Sequence, residues 1–83
     1  MEEILRKIEQ ATGVTQAEMR SECRKAELVA ARLLFALEAN NKFPSRKIGK
    51  AINRNRTTII NMVKGRHKPS EFYFEYKEAY EKL

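Results

Sequence analysis

Apolar residues recur at helical spacing in six stretches of the chain, and no stretch alternates apolar and polar with a period of two, so the pattern predicts an all-α fold of about six helices and no strand. Ile4, Leu5 and Ile8 mark one face of a first helix, from about Glu2 to Ala11, which Thr12-Gly13 closes. Thr15-Gln16-Ala17-Glu18 reads as a capping box, with the threonine hydroxyl facing the backbone donor three residues on and the glutamate reaching back, so a short second helix follows. The strongest helical run is Ala26 to about Asn40, where Leu28, Val29, Arg32, Leu33, Phe35, Ala36 and Leu37 include the three- and four-residue spacings of a core helix. Pro44 introduces a fourth helix, Ser45 to Asn53, with Ile48, Ala51 and Ile52 as its apolar edge. Asn53-Arg54-Asn55 is turn chemistry, and Asn55 caps a fifth helix, Arg56 to Lys64, which is expected to bury Ile59, Ile60 and Val63. Ser70 caps the last, Glu71 to Lys82, with Phe72, Tyr76, Ala79, Tyr80 and Leu83 on one face. With no repeat or long linker, residues 1–83 read as one helical domain.

Charge changes this picture from a small bundle to a binding module. Between Lys42 and Lys68 there are nine basic residues and no acid, whereas the rest of the chain holds eight basic residues and all eleven acids, every one a glutamate. The formal excess of +6 therefore lies wholly in one stretch, and the partner it suits is polyanionic.

Several function classes fall away. One cysteine, Cys23, forbids an intrachain disulfide and a cysteine-based zinc site, and it reads as a small apolar side chain; one histidine, His67, leaves no HExxH motif or Ser-His-Asp set with its usual partners. The three glycines are too scattered for a phosphate-cradling loop, so neither nucleotide nor other cofactor is expected. The basic stretch has no carboxylate cluster for a metal-dependent nuclease, and the chain is read as non-enzymatic. No apolar run reaches the roughly 18 residues of a membrane span, and Met1-Glu2-Glu3 has the wrong charge for a signal peptide, which points to the cytoplasm.

Helices four and five, joined by a tight turn inside the basic stretch at about residues 45–65, have helix-turn-helix proportions, with the second as recognition helix. If Ile59, Ile60 and Val63 face inward, Thr57, Asn61, Lys64 and Lys68 lie on the opposite side with Thr58 beside them. Thr methyls can pack on thymine methyls, Asn can pair bidentately with adenine, and Lys can neutralise phosphate. The bland alternative is an ordinary solvated face, but Thr and Asn are mediocre helix formers where Glu or Ala would serve stability better.

The run Ile48-Gly49-Lys50-Ala51-Ile52-Asn53-Arg54-Asn55-Arg56-Thr57-Thr58-Ile59 resembles the signature I-G-x-x-F-G-G-R-D-H-T-T-V of the C-terminal DNA-binding domain of the bacterial replication initiator DnaA, a Trp-repressor-like helix-turn-helix. Upstream, Ser21 to Arg32 is similar to that family's basic loop and the long helix after it. The resemblance spans roughly Ile4 to Lys68. It implies that Asn55, Arg56, Thr57 and Thr58 open the recognition helix against base edges and phosphate, that Arg54 contacts the backbone nearby, and that Arg24 reaches into the adjacent minor groove. Asn55-Arg56 stands where the family has Asp-His, which exchanges an acceptor for an amide and an imidazole for a permanently charged fork.

The expected function is sequence-specific binding of double-stranded DNA of the DnaA-box type, in replication initiation or its regulation. Lys47, Lys50, Arg54, Arg24 and Lys64 would hold phosphates, Lys25 and Arg32 would adjoin them, and Asn55, Arg56, Thr57, Thr58 and Asn61 would set sequence preference. Two readings of Arg32 stand side by side: a packed stem with its head in water, or a head on phosphate as in the family. The rival function is a protein-interaction adaptor or transcription regulator built on the same fold. Its interface would be the aromatic C-terminal helix, about residues 70–83, where Tyr73 and Phe74 stand off the main stripe and offer a contact surface for a protein partner.

Overall fold

Six helices and no strand make up the computed structural model, which describes all residues from Met1 to Leu83: α1 (Glu2–Thr12), α2 (Gln16–Arg20), α3 (Ala26–Ala39), α4 (Ser45–Ala51), α5 (Arg56–Val63) and α6 (Glu71–Glu81). Their ends follow from local chemistry. Gly13 takes a left-handed conformation (φ 76°) and its N–H donates to the carbonyl of Glu9 at 2.7 Å, which stops α1. The capping box opens α2: the Glu18 N–H donates to the Thr15 hydroxyl and the Thr15 N–H to the Glu18 carboxylate, each at 3.1 Å.

α3 lies at the centre, with α1 and α6 packed on one side, α4 and α5 on the other, and α2 beside its start. Its expected apolar face is only partly right. Leu28, Leu33, Phe35 and Ala36 are buried, but so are Ala30, Ala31, Leu34 and Ala39, while Val29 is 40% exposed. A helix that is apolar nearly all round is enclosed by neighbours on several sides, and periodicity then cannot choose a face. Four alanines let those neighbours approach closely.

α4 stops at Ala51, two residues short of the expected end, because Asn53 adopts the left-handed conformation (φ 55°) that turns the chain toward α5. α5 buries Ile59 and Met62, whereas Ile60 and Val63 are only half-buried, which corrects the expected inward set. The cause is Gly49: lacking a side chain, it admits α5 at the level of Ile59 and so fixes the rotation of that helix. In α6 the stripe also shifts by a residue. Tyr73 and Tyr80 are buried with Tyr76 and Ala79 half-buried, while Phe72 and Leu83 are exposed, as is Phe74. Phe72-Tyr76-Tyr80 and Tyr73-Tyr76-Tyr80 share two members, and packing on α1 and α3 selects the second; Tyr73 therefore belongs to the core and not to an outer contact surface.

The sides of α3 differ in charge. α1 and α6 carry seven of the eleven glutamates, and the acid-free Lys42–Lys68 stretch contains α4 and α5. Cys23 is half-buried against the core, no helix is long and apolar enough to cross a membrane, and no three His, Cys or Glu side chains gather as a metal site.

Candidate nucleic-acid interface

The turn between α4 and α5 places the first residues of α5 outward. Asn55 is the N-cap: its Oδ1 accepts from the Thr58 N–H at 2.9 Å and from the Thr58 hydroxyl at 3.1 Å. Of its two possible uses the oxygen thus serves the cap, while the amide NH2 makes no hydrogen bond to the protein. Arg56 and Thr57, next along the helix, are exposed.

Two polar depressions of about 510 Å³ each meet at Asn53, Arg54 and Asn55. One extends to Glu22, Arg24 and Thr58, and so joins the α2–α3 loop to the recognition helix. The other extends to Arg20, Arg46, Lys50 and Arg56, along α2 and α4. Together they bring Arg24, Lys50, Arg54, Asn55, Arg56 and Thr58 into one trough. Arg20 and Arg46 also line it, and sequence reasoning did not single them out. Arg46 had a signal in the acid-free stretch; Arg20 had none.

The remaining expected residues are placed differently. Lys47 is exposed on α4 beside Phe43, with its Nζ 5.4 Å from the ring centre, and Thr57 and Lys64 are exposed outside the trough. Lys25 lines a separate hollow with Cys23 and Glu27. Asn61 is half-buried, and its Oδ1 accepts from Arg66 Nη1 at 3.2 Å, so its amide is not free for two bonds to one base.

Arg32 fits neither of its two expected readings. It is 3% exposed, and its guanidinium points inward: Nε donates to the carbonyl of Met19 at 2.9 Å, and Nη2 to those of Ser21 at 2.9 Å and Glu18 at 3.3 Å. These carbonyls lie at the end of α2, where those of Met19 and Ser21 have no partner within so short a helix. Burial, and then the nearby charge of Arg54, lower its pKa from the ordinary value, yet arginine stays charged in proteins.

Electrostatically the face is unneutralised. The one ion pair in the molecule, Lys82 with Glu78 at 3.4 Å, lies on α6. Glu22 is the sole carboxylate lining the trough, and no basic group of the trough stands within ion-pair distance of it. Cations held on a common face without carboxylate partners are suited to neutralise a phosphate backbone.

A family model described as the bacterial DnaA protein helix-turn-helix matches residues 1–65 of the chain. No curated protein and no solved structure matches it.

Proposed function

The chain belongs to the bacterial DnaA helix-turn-helix family, whose members bind DNA, and on that footing we propose that it recognises a specific double-stranded sequence of the DnaA-box type, in replication initiation or its regulation. The observation that supports this reading is the trough itself, with Arg24, Lys50 and Arg56 converging beside an exposed recognition-helix N-terminus and no carboxylate paired with them. Lys47, Lys50, Arg24 and Lys64 hold phosphates; Arg56, Thr57 and Thr58 face base edges, and Asn55 offers its amide NH2 as a donor. In this role the chain is a binding module of the cytoplasm, without catalysis and without nucleotide.

Arg56 carries the sequence preference, because at the start of the helix a guanidinium can present two parallel donors to the O6 and N7 of guanine. Binding of Arg56→Ala and Arg56→His to a panel of duplexes with single-base changes tests this. Arg56→Ala is expected to relax preference at one base pair at a cost of about 1–3 kcal/mol, and Arg56→His to move preference toward the family's usual box. A uniform loss across the panel would refute base reading by Arg56, and a wild-type chain that binds all duplexes alike would refute the specific-binding function.

A further inference from the structure

α2 and α4, of five and seven residues, are too short to be stable alone. Each lends side chains to the other's C-terminal carbonyls. From α2, Arg20 Nη1 donates to the carbonyls of Lys50 at 2.9 Å and Ala51 at 3.3 Å, and Gln16 Nε2 to that of Ala51 at 2.9 Å. In return, from the α4–α5 turn, Arg54 Nη2 donates to the carbonyl of Ser21 at 2.7 Å and Asn53 Nδ2 to that of Arg20 at 3.5 Å. The Ser21 carbonyl also accepts from Arg32, so two guanidiniums from different elements converge on one oxygen with no carboxylate between them. Arg54 Nη1 is turned to its own turn, on the carbonyls of Asn53 at 3.1 Å and Ile52 at 3.3 Å.

This reciprocal capping has a geometric result. Ser21 lies three residues before Arg24, and Arg54 directly precedes Asn55 and Arg56. The strap therefore ties the loop that carries Arg24 to the start of the recognition helix. We propose that Arg54 is a positioning residue: through the Ser21 carbonyl it fixes where Arg24 stands relative to Arg56, so that the two are presented to DNA as one preformed unit. This rests on the DNA-binding reading and replaces, for Arg54 alone, the expected role as a phosphate ligand.

Arg54→Lys keeps the charge and loses the fork, which separates the two roles. Binding to the duplex best bound in a random-sequence selection is measured for wild type, Arg24→Ala, Arg54→Lys and the double variant. Arg24→Ala is expected to weaken binding about tenfold in the wild-type background but less than about twofold beside Arg54→Lys, since residues that act through one network are not additive. A near-wild-type affinity of Arg54→Lys with additive effects, as a phosphate ligand would give, overturns the proposal. A second arm needs no DNA: backbone relaxation of the free protein at Ser21 to Lys25 is expected to show order parameters near about 0.85 in wild type and falling toward about 0.6 in Arg54→Lys. Identical values in both overturn the strap even if DNA binds well. Relaxation that changes as expected in a chain that binds no duplex fails the DNA-binding reading, and with it the role toward Arg24, while the strap itself stands. Should Arg54→Lys not fold, Arg20→Lys cuts the strap from the α2 side and is expected to give the same non-additivity with Arg24→Ala.

Discussion

Replacing Gly49 by alanine sets two effects against each other. An exposed helix interior gains about 1 kcal/mol from this change, because alanine restricts the unfolded chain and forms helix better. Gly49 is buried, however, and a Cβ built there falls on the backbone carbonyl oxygen of Arg54, well inside van der Waals contact, and within 3.3 Å of Ile59 Cγ1. A side chain could swing away; this carbonyl is backbone, held on one side by the Arg54 N–H bond to the Gly49 carbonyl at 2.8 Å and on the other by Asn55, which caps α5. α4 and α5 must separate, which costs about 1–3 kcal/mol as overpacking, with about 1 kcal/mol more if that hydrogen bond is lost. Against the propensity gain this leaves a net destabilisation of about 2 kcal/mol, or a melting temperature lower by about 10 °C in a domain of this size. Thermal unfolding followed by far-UV circular dichroism measures it, with Gly65→Ala as the comparison. There the space is open, and the left-handed φ of 78° alone costs about 1–2 kcal/mol. A Gly49→Ala chain as stable as wild type, or more so, would refute the close approach of the two helices.

Three further outcomes are expected. Arg32→Leu removes three hydrogen bonds to backbone carbonyls and leaves that of Met19 without its donor, while those of Ser21 and Glu18 keep Arg54 and Ser21 as donors, so it should lower the urea-unfolding free energy by about 2 kcal/mol; an unchanged midpoint would mean that the guanidinium does not point inward. Lys47→Ala and Lys50→Ala should each weaken binding to all duplexes alike and reduce the slope of log affinity against log salt by about one, and an unchanged slope would remove them from the phosphate contacts. Burial, and then the charges of Glu38 and Glu3, raise the pKa of Tyr80, so the folded state favours the neutral phenol. That contribution is fully present below the unfolded value near pH 10 and is lost as pH rises through the higher folded one; stability followed into alkali should therefore fall less in Tyr80→Phe than in wild type.

The helices were legible in the sequence because caps and stops are local: the Thr15–Glu18 box, Gly13 and Asn55 each act within a few residues of where they stand. Which way a helix faces is decided by contacts distant in sequence. For α6 two stripes fitted the pattern equally, and for α3 apolar residues at almost every position left no stripe to read. The site shows the same division. The acid-free stretch and the signature around Arg54 to Thr58 were visible as composition and motif, but the inward turn of Arg32, the bond from Arg66 to Asn61 and the reach of Arg20 to Lys50 depend on where carbonyls lie after folding. An arginine's letter does not say whether its donors meet phosphate or peptide oxygen.

The sorting of charge across α3 bears on how fast the molecule finds its partner. Its extents are 28 × 25 × 22 Å, whereas at physiological ionic strength a charge is felt over only about 8 Å. A duplex approaching the α4–α5 side meets first the cations of α4, α5 and the turn between them, while most glutamates of α1 and α6 lie across α3 from it. The net charge of +6 therefore does not convey how one-sided the pull is at close range. In dilute salt, where the reach lengthens to about 30 Å at 0.01 M, both poles act together as a torque that turns the molecule before contact, so fewer collisions arrive in the wrong orientation.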